Sequence, residues 1–144
     1  ILNMGKRSYG EYNKFDVVYA DFGRNPHGVE GGVRPGVIIS CDASNHDRAP
    51  QVSVVPLSTK LKSIPMHVVL DPKDVSGFGL SKKSDFMPED AQTISKGCIR
   101  GKSGSIIEDS GMREEIDRAL IRQFALLPVA RKMVMEELAN GQQN

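Results

Sequence analysis

Three polar clusters in this chain carry residue types that act on a phosphodiester. In Gly31-Gly32-Val33-Arg34-Pro35-Gly36-Val37-Ile38-Ile39-Ser40, a glycine-rich loop delivers one arginine to the mouth of an apolar strand. A guanidinium is permanently charged, planar and able to grip two phosphate oxygens, and glycines ahead of it let a polyanion approach the backbone. Pro35 disfavours a helical conformation at Arg34, so the side chain is expected to project from a strand end. The second cluster, Ser58-Thr59-Lys60-Leu61-Lys62-Ser63, sets two hydroxyls and two lysines at the end of another apolar run. Hydroxyls bond non-bridging phosphate oxygens, and lysines add attraction that ignores base sequence. In the third, Pro88-Glu89-Asp90-Ala91-Gln92, two acids precede a strand. Adjacent residues of an extended chain face opposite ways, so at most one of these acids joins a given site. Taken singly, each cluster also fits a surface feature: an arginine at a turn, a solvated lysine loop, a capping carboxylate.

Other chemistries lack their residues. The histidines are scattered at His27, His46 and His67, and no HxH, HExxH or acidic cluster predicts a metal site. His27 lies in the glycine loop near Arg34. His67 alternates with Val68 on a strand candidate, where a hydrogen-bonded structural histidine is expected. No phosphate-loop, dinucleotide or nucleophile-elbow pattern occurs. Cys41 and Cys98 are too few and too far apart for a disulfide framework, so a reducing, cytoplasmic setting is expected. The net charge of +1 excludes a whole-surface polyanion binder and leaves only a local basic patch for nucleic acid. The run from Lys96 through Arg100 to Lys102 reads as a second basic patch on a solvated loop. No stretch has the length of a membrane-spanning helix, so no membrane partner is expected.

These clusters must be positioned by strands first and helices last, an α+β order dominated by β. Strands are predicted at Asp16–Phe22, Val37–Cys41, Gln51–Ser58, Met66–Leu70, Ser84–Met87 and Ala91–Ser95. Pro56 marks an edge or a bulge in the third. Residues 23–33 form a loop of functional length. After Gly111, Met112, Ile116, Ala119, Leu120, Phe124 and Leu127 recur at helical spacing, with Asp109 or Ser110 as N-cap and Pro128 as the break. Residues 129–139 make a second, short helix expected to pack on the body. The domain reading is therefore residues 1–14 as a flexible N-terminal segment, 15–127 as the body, and 128–144 as an extra helix with a polar tail.

Read together, Asp16-Val17-Val18-Tyr19-Ala20-Asp21-Phe22, Gly31-Gly32-Val33-Arg34-Pro35, Val54-Val55-Pro56-Leu57-Ser58-Thr59 and Gln92-Thr93-Ile94 resemble the MazF/PemK/Kid family of toxin endoribonucleases. The similarity runs from about Phe15 to Leu127. It implies a small SH3-like, partly open antiparallel β-barrel with C-terminal helices, a homodimer, and cofactor-free, metal-independent cleavage of single-stranded RNA at short sequences. It also implies a cognate antitoxin whose disordered segment folds across the toxin, and contact with DNA only through that complex.

The resemblance puts Arg34 at the family's catalytic arginine and Ser58 where its catalytic threonine usually stands. Glu89 falls where some members have an active-site acid two residues after an arginine, here replaced by Met87. Gln92 stands where many relatives have arginine, and Ser95 where they have aspartate. His27, Gly31, Gly32, Thr59, Lys60 and Lys62 are the expected RNA contacts. The chemistry itself needs little: the ribose 2′-hydroxyl attacks the adjacent phosphorus, and the protein moves a proton and stabilises the phosphorane. Glu89 is the candidate base if it reaches the 2′-hydroxyl, and His27 is the next. Two rival classes stay open: a small-barrel protein that grips another protein, as gyrase poisons do, and an inactive relative that only binds nucleic acid.

Overall fold

The computed structural model describes residues 7–24 and 31–142. Its described residues form strands β1 (Asp16–Asp21), β2 (Val33–Ile38), β3 (Gln51–Ser58), β4 (Val68–Leu70), β5 (Ser84–Phe86), β6 (Gln92–Ser95) and β7 (Ile99–Ser105), then helices α1 (Met112–Gln123) and α2 (Leu127–Gln142). Every strand pair is antiparallel. The order is β4-β5-β3-β2-β1-β7, with β6 also on β3, so the sheet curls but stays open, as the partly open barrel reading requires.

Both faces of the sheet are covered, which explains why Val17-Val18 of β1 and Val37-Ile38 of β2 are apolar in succession and do not alternate. Val17 points into a core with Val37, Val55, Leu57, Phe86 and Ile106, roofed by Ile116 and Ala119 of α1. Val18, one residue on, points the other way and packs with Ala20, Phe22, Ile38, Val54 and Ile94. Burying Ile116 fully is worth about 1.5–3 kcal/mol and pins α1 across the sheet.

β3 is the hub. One side pairs with β2, and the other pairs with β6 along Gln51–Val54 and then with β5 at Leu57 and Ser58. Pro56 sits where that second side changes partner, so its missing N–H interrupts no ladder. The proline thus marks a partner switch inside the sheet, not an outer edge. Gly36, opposite Pro56, has no room for a side chain: a Cβ there would lie 2.7 Å from Val54 Cγ1 and 2.8 Å from Phe22 Cζ.

Five expectations need correction. β2 begins at Val33, not Val37, because the pairs Ala20↔Arg34 and Asp21↔Val33 extend the ladder into the glycine stretch. It also ends at Ile38, short of Cys41. The Lys96–Lys102 patch is not a solvated loop: residues from Ile99 onward form β7, held to β1 across two register shifts, while Lys102 and Arg100 pair with Asp16 (3.3 Å) and Asp21 (3.5 Å). Glycines and lysines hid this strand from any apolar pattern. The N-cap of α1 is Gly111, although the Ser110 hydroxyl accepts the Met112 N–H at 3.2 Å.

The fourth and fifth concern the junction of the two helices and the packing of α2. α1 ends before Pro128: Ala125 turns left-handed (φ 52°), the Leu126 N–H reaches the Ile121 carbonyl at 2.9 Å, and the Ala125 N–H reaches Arg122. Pro128 lies instead in the first turn of α2, where no helical donor is lost. α2 buries none of its residues, so it does not pack on its own body as expected. No helix among the described residues is long and apolar enough to cross a membrane.

Candidate active site at the end of β3

The three polar clusters converge where β3 ends. Counting two residues on from the last β2–β3 pair, Gly36↔Pro56, sets Arg34 level with Ser58. On the other side Ser58 pairs with Asp85 of β5, and Asp85 pairs with Val69 of β4. Strand alternation then places Arg34, Ser58, Asp85 and His67, two residues before Val69, on one face.

Arg34 is aimed by backbone. Its Nε–H donates to the Gly31 carbonyl at 2.7 Å and Nη1 donates to the Leu57 carbonyl at 3.4 Å, which holds the guanidinium over the end of β3. The Gly23 and Gly32 ends of the preceding loop are tied by Gly32 N–H to Gly23 O (2.7 Å) and Phe22 N–H to Gly32 O (3.0 Å). Ser58 is only 4% exposed, and its Oγ accepts the Lys60 N–H at 3.2 Å, which turns the chain out of the strand. The O–H of Ser58 remains a donor at the floor of the site. Thr59, Lys60 and Lys62 are exposed around it.

Beside Ser58 stands a group that sequence reasoning missed. His67 Nδ1 lies 2.9 Å from Asp85 Oδ2, and Nε2 lies 2.7 Å from Glu89 Oε2. The side chains of His67 and Asp85 are 2% and 1% exposed, whereas that of Glu89 is 45% exposed. A carboxylate against each nitrogen is the arrangement that favours an imidazolium, in which both nitrogens donate. Burial alone would lower the His67 pKa, but the hydrogen bonds to Glu89 and Asp85, with their charges, outweigh it and hold the pKa above its usual 6.5. Asp85 Oδ1 is buried with no hydrogen-bond partner. Glu89 is carried on a short 3-10 turn, Pro88–Asp90, whose buried Pro88 anchors it and leaves the carboxylate at the surface. The result is a line from the buried Asp85 through His67 to an accessible carboxylate, near an arginine and a hydroxyl.

A family model for the PemK-like, MazF-like toxin of type II toxin-antitoxin systems matches residues 13–124. The chain belongs to that family. Endoribonuclease EndoA of Bacillus subtilis (strain 168) is 29% identical over 114 residues, covering 78% of this chain and 93% of EndoA. Among solved structures, MazF of Deinococcus radiodurans superposes with a TM-score of 0.65 at 17% identity over 81% of this chain and 99% of MazF. An endoribonuclease from a mycobacterial species, solved in complex with its cognate antitoxin, gives 0.64 at 22% identity, over 80% and 96%. At such identities these structures establish the fold of the family, and the fold here is theirs.

Within this toxin fold the departures from the family pattern take structural roles. Met87 is 1% exposed and lies in the core, so the Glu89 turn is anchored by packing and not by a charged neighbour. The Gln92 amide donates to the Asp90 carbonyl at 3.3 Å, and the Ser95 hydroxyl caps the next turn through Gly97 N–H at 3.1 Å. Lys96, read as part of a solvated patch, is buried: its ammonium donates to the carbonyls of Gly10 (3.0 Å), Asn45 (3.0 Å) and His46 (2.7 Å), and burial lowers its pKa. His27 lies outside the described residues. No group of three or more His, Cys, Asp or Glu side chains among the described residues is arranged to hold a metal ion.

Two signals in the sequence could have exposed the missed pair. Asp85 is a charge inside the apolar strand candidate Ser84–Met87, and a charge in a buried strand needs a partner. His67 is the histidine nearest the first residue of β4, where alternation with Val68 and Leu70 turns it to the opposite face.

Proposed function

We propose that this chain is a toxin that cleaves single-stranded RNA at short sequences by 2′-hydroxyl attack, without a metal or other cofactor. The observation that supports this most is the juxtaposition at the β3 end of a backbone-aimed guanidinium with an exposed carboxylate backed by a buried imidazolium. Glu89 takes the proton from the 2′-hydroxyl, the 2′-oxygen bonds to phosphorus, and the bond to the 5′-oxygen breaks. The products are a 2′,3′-cyclic phosphate and a 5′-hydroxyl, with the leaving oxygen protonated from water. Arg34 faces the charge that grows on the phosphorane, an interaction worth about 2.7–4 kcal/mol for a well-placed donor. Ser58 donates its O–H to a phosphate oxygen. His67 is too buried to meet RNA; it holds the Glu89 carboxylate in place.

Thr59, Lys60 and Lys62 form the exposed approach, with Gly31 and Gly32 as the opposite wall; His27 is a further candidate RNA contact. RNA bases must be unstacked for the 2′-hydroxyl to line up, which fits single strands over duplexes. The protein works in the cytoplasm as a homodimer, is neutralised by a cognate antitoxin, and meets DNA only through that complex. The mycobacterial relative solved with its antitoxin supports the neutralisation.

The test is cleavage of a long single-stranded RNA in EDTA by wild type and by Arg34→Ala, with the ends mapped. Discrete cuts that vanish in a folded Arg34→Ala protein support the reading. Intact RNA with folded wild type, or undiminished cutting by the variant, overturns it and favours a toxin that grips a protein target.

A further inference from the structure

α2 is outside the family's shared body, since the family match ends at residue 124 and α2 begins at Leu127. It is a sixteen-residue helix that buries none of its side chains. A helix of this length is marginal in water without packing, and Leu127, Val129, Met133, Val134, Met135 and Leu138 are each more than half exposed. The turn at Ala125 and Leu126 fixes how α2 leaves α1, so its apolar surface is presented, not tucked away.

The residues on that surface describe their own partner. Leu127, Ala130, Val134, Leu138 and Gly141 follow at intervals of three, four, four and three, which makes one stripe along the helix. Sizes along the stripe are large, small, medium, large, none. Laid antiparallel on a second copy about Val134, Leu127 meets Gly141, Leu138 meets Ala130, and Val134 meets itself. Each large side chain falls opposite a small one. The charges obey the same symmetry. Arg131 and Lys132 lie toward the amino end and Glu136 and Glu137 toward the carboxyl end, the reverse of what the dipole of an isolated helix favours. Of these four, Arg131 and Glu137 flank the stripe while Lys132 and Glu136 lie on the far face, and antiparallel pairing sets Arg131 of one copy level with Glu137 of the other. Parallel pairing would stack like on like.

We propose that α2 is a self-association element, in which two copies of the chain pair through their α2 helices, antiparallel, with Val134 on the two-fold axis. This is independent of the ribonuclease reading and of any contact the sheet bodies make. The stripe is short, so the pairing is concentration-dependent and adds to whatever association the body supplies. An antitoxin segment or the partner's body could also cover this helix, and the experiment separates these occupants.

The full chain carrying Cys41→Ser and Cys98→Ser is given one cysteine at Val134→Cys, or one at Leu127→Cys, or the pair Leu127→Cys with Gly141→Cys, and is oxidised mildly without antitoxin. Helices about 8–10 Å apart bring facing Cβ atoms within disulfide reach only at matched levels. The proposal expects rapid covalent dimers from Val134→Cys and from the double variant, and few from Leu127→Cys alone. Val134→Glu with Leu138→Glu should weaken self-association in sedimentation equilibrium about tenfold or more, without changing the folded circular-dichroism spectrum. The proposal is overturned by a dimer in which Val134→Cys does not cross-link, by cross-linking of Leu127→Cys to itself as fast as Val134→Cys, or by a monomer whose state the glutamates do not alter.

Discussion

Two buried ionisable groups in this protein have opposite surroundings. Lys96 is enclosed: its ammonium is met by three backbone carbonyls from two separate segments and ties residues 10, 45 and 46 to the turn after β6. His67 is buried to a similar degree, yet its line of hydrogen bonds ends at a carboxylate that is 45% exposed and begins at an aspartate with one oxygen unmatched. A closed set of backbone acceptors makes a strut. A chain of titratable side chains that surfaces on one side can pass the influence of a buried charge to a substrate. Burial of a charge therefore does not by itself mark a candidate site in this fold; the open end is what distinguishes His67 from Lys96.

Substitutions that separate stability from cleavage sharpen that contrast. The largest combined effect belongs to His67→Ala, which strands Asp85 as a buried charge: stability should fall by about 3–5 kcal/mol in urea titration, and cleavage should be lost as well. Glu89→Gln should split the two properties, lowering the cleavage rate about 10²- to 10⁴-fold while lowering the urea midpoint far less than His67→Ala does, because the carboxylate is at the surface and Asp85 still pairs with His67. Lys96→Met should do the reverse. It leaves three carbonyls without their donor, costing about 1–3 kcal/mol, with single-turnover cleavage by the folded protein unaltered. A cleavage defect in Lys96→Met as large as that of Glu89→Gln would erase the distinction.

The smallest effect is that of pH. The His67 pKa is raised in the folded state, so the stability it contributes is complete below the unfolded value of about 6.5 and is lost as pH rises through the folded value. Urea midpoints should therefore drop across that alkaline interval in wild type, and the drop should be absent in His67→Gln. Cleavage should decline over the same interval as the imidazolium behind Glu89 is lost.

What the sequence made legible was local. Arg34 before a proline, Ser58 at the end of an apolar run and Glu89 after Pro88 each announce themselves within a few residues, and all three arrive at the β3 end. The strands β1 and β3 were visible from β-branched runs. His67 and Asp85 were not visible as a pair because their meeting depends on two three-residue strands, β4 and β5, too short to carry a pattern. β7 was hidden for a related reason: a strand of glycines, serines and lysines owes its place to pairing with β1 and not to its own propensity. Lys96 was misread because nothing near it in sequence foretells carbonyls at residues 10, 45 and 46. The character of α2 was legible as a helix but not as one without a home, since packing partners are a property of the whole chain.

The central claim, that Glu89 with its buried histidine and Arg34 turn the ribose against its own phosphodiester, is tested most directly by one substrate. A cleavable RNA is prepared with a single 2′-deoxy substitution at the nucleotide 5′ of the cut, and the ends of the unmodified product are identified by mass spectrometry. The account predicts a 2′,3′-cyclic phosphate and a 5′-hydroxyl on the normal substrate and no cut at the substituted position. Cleavage at the deoxy position, or ends bearing a 5′-phosphate, would contradict it.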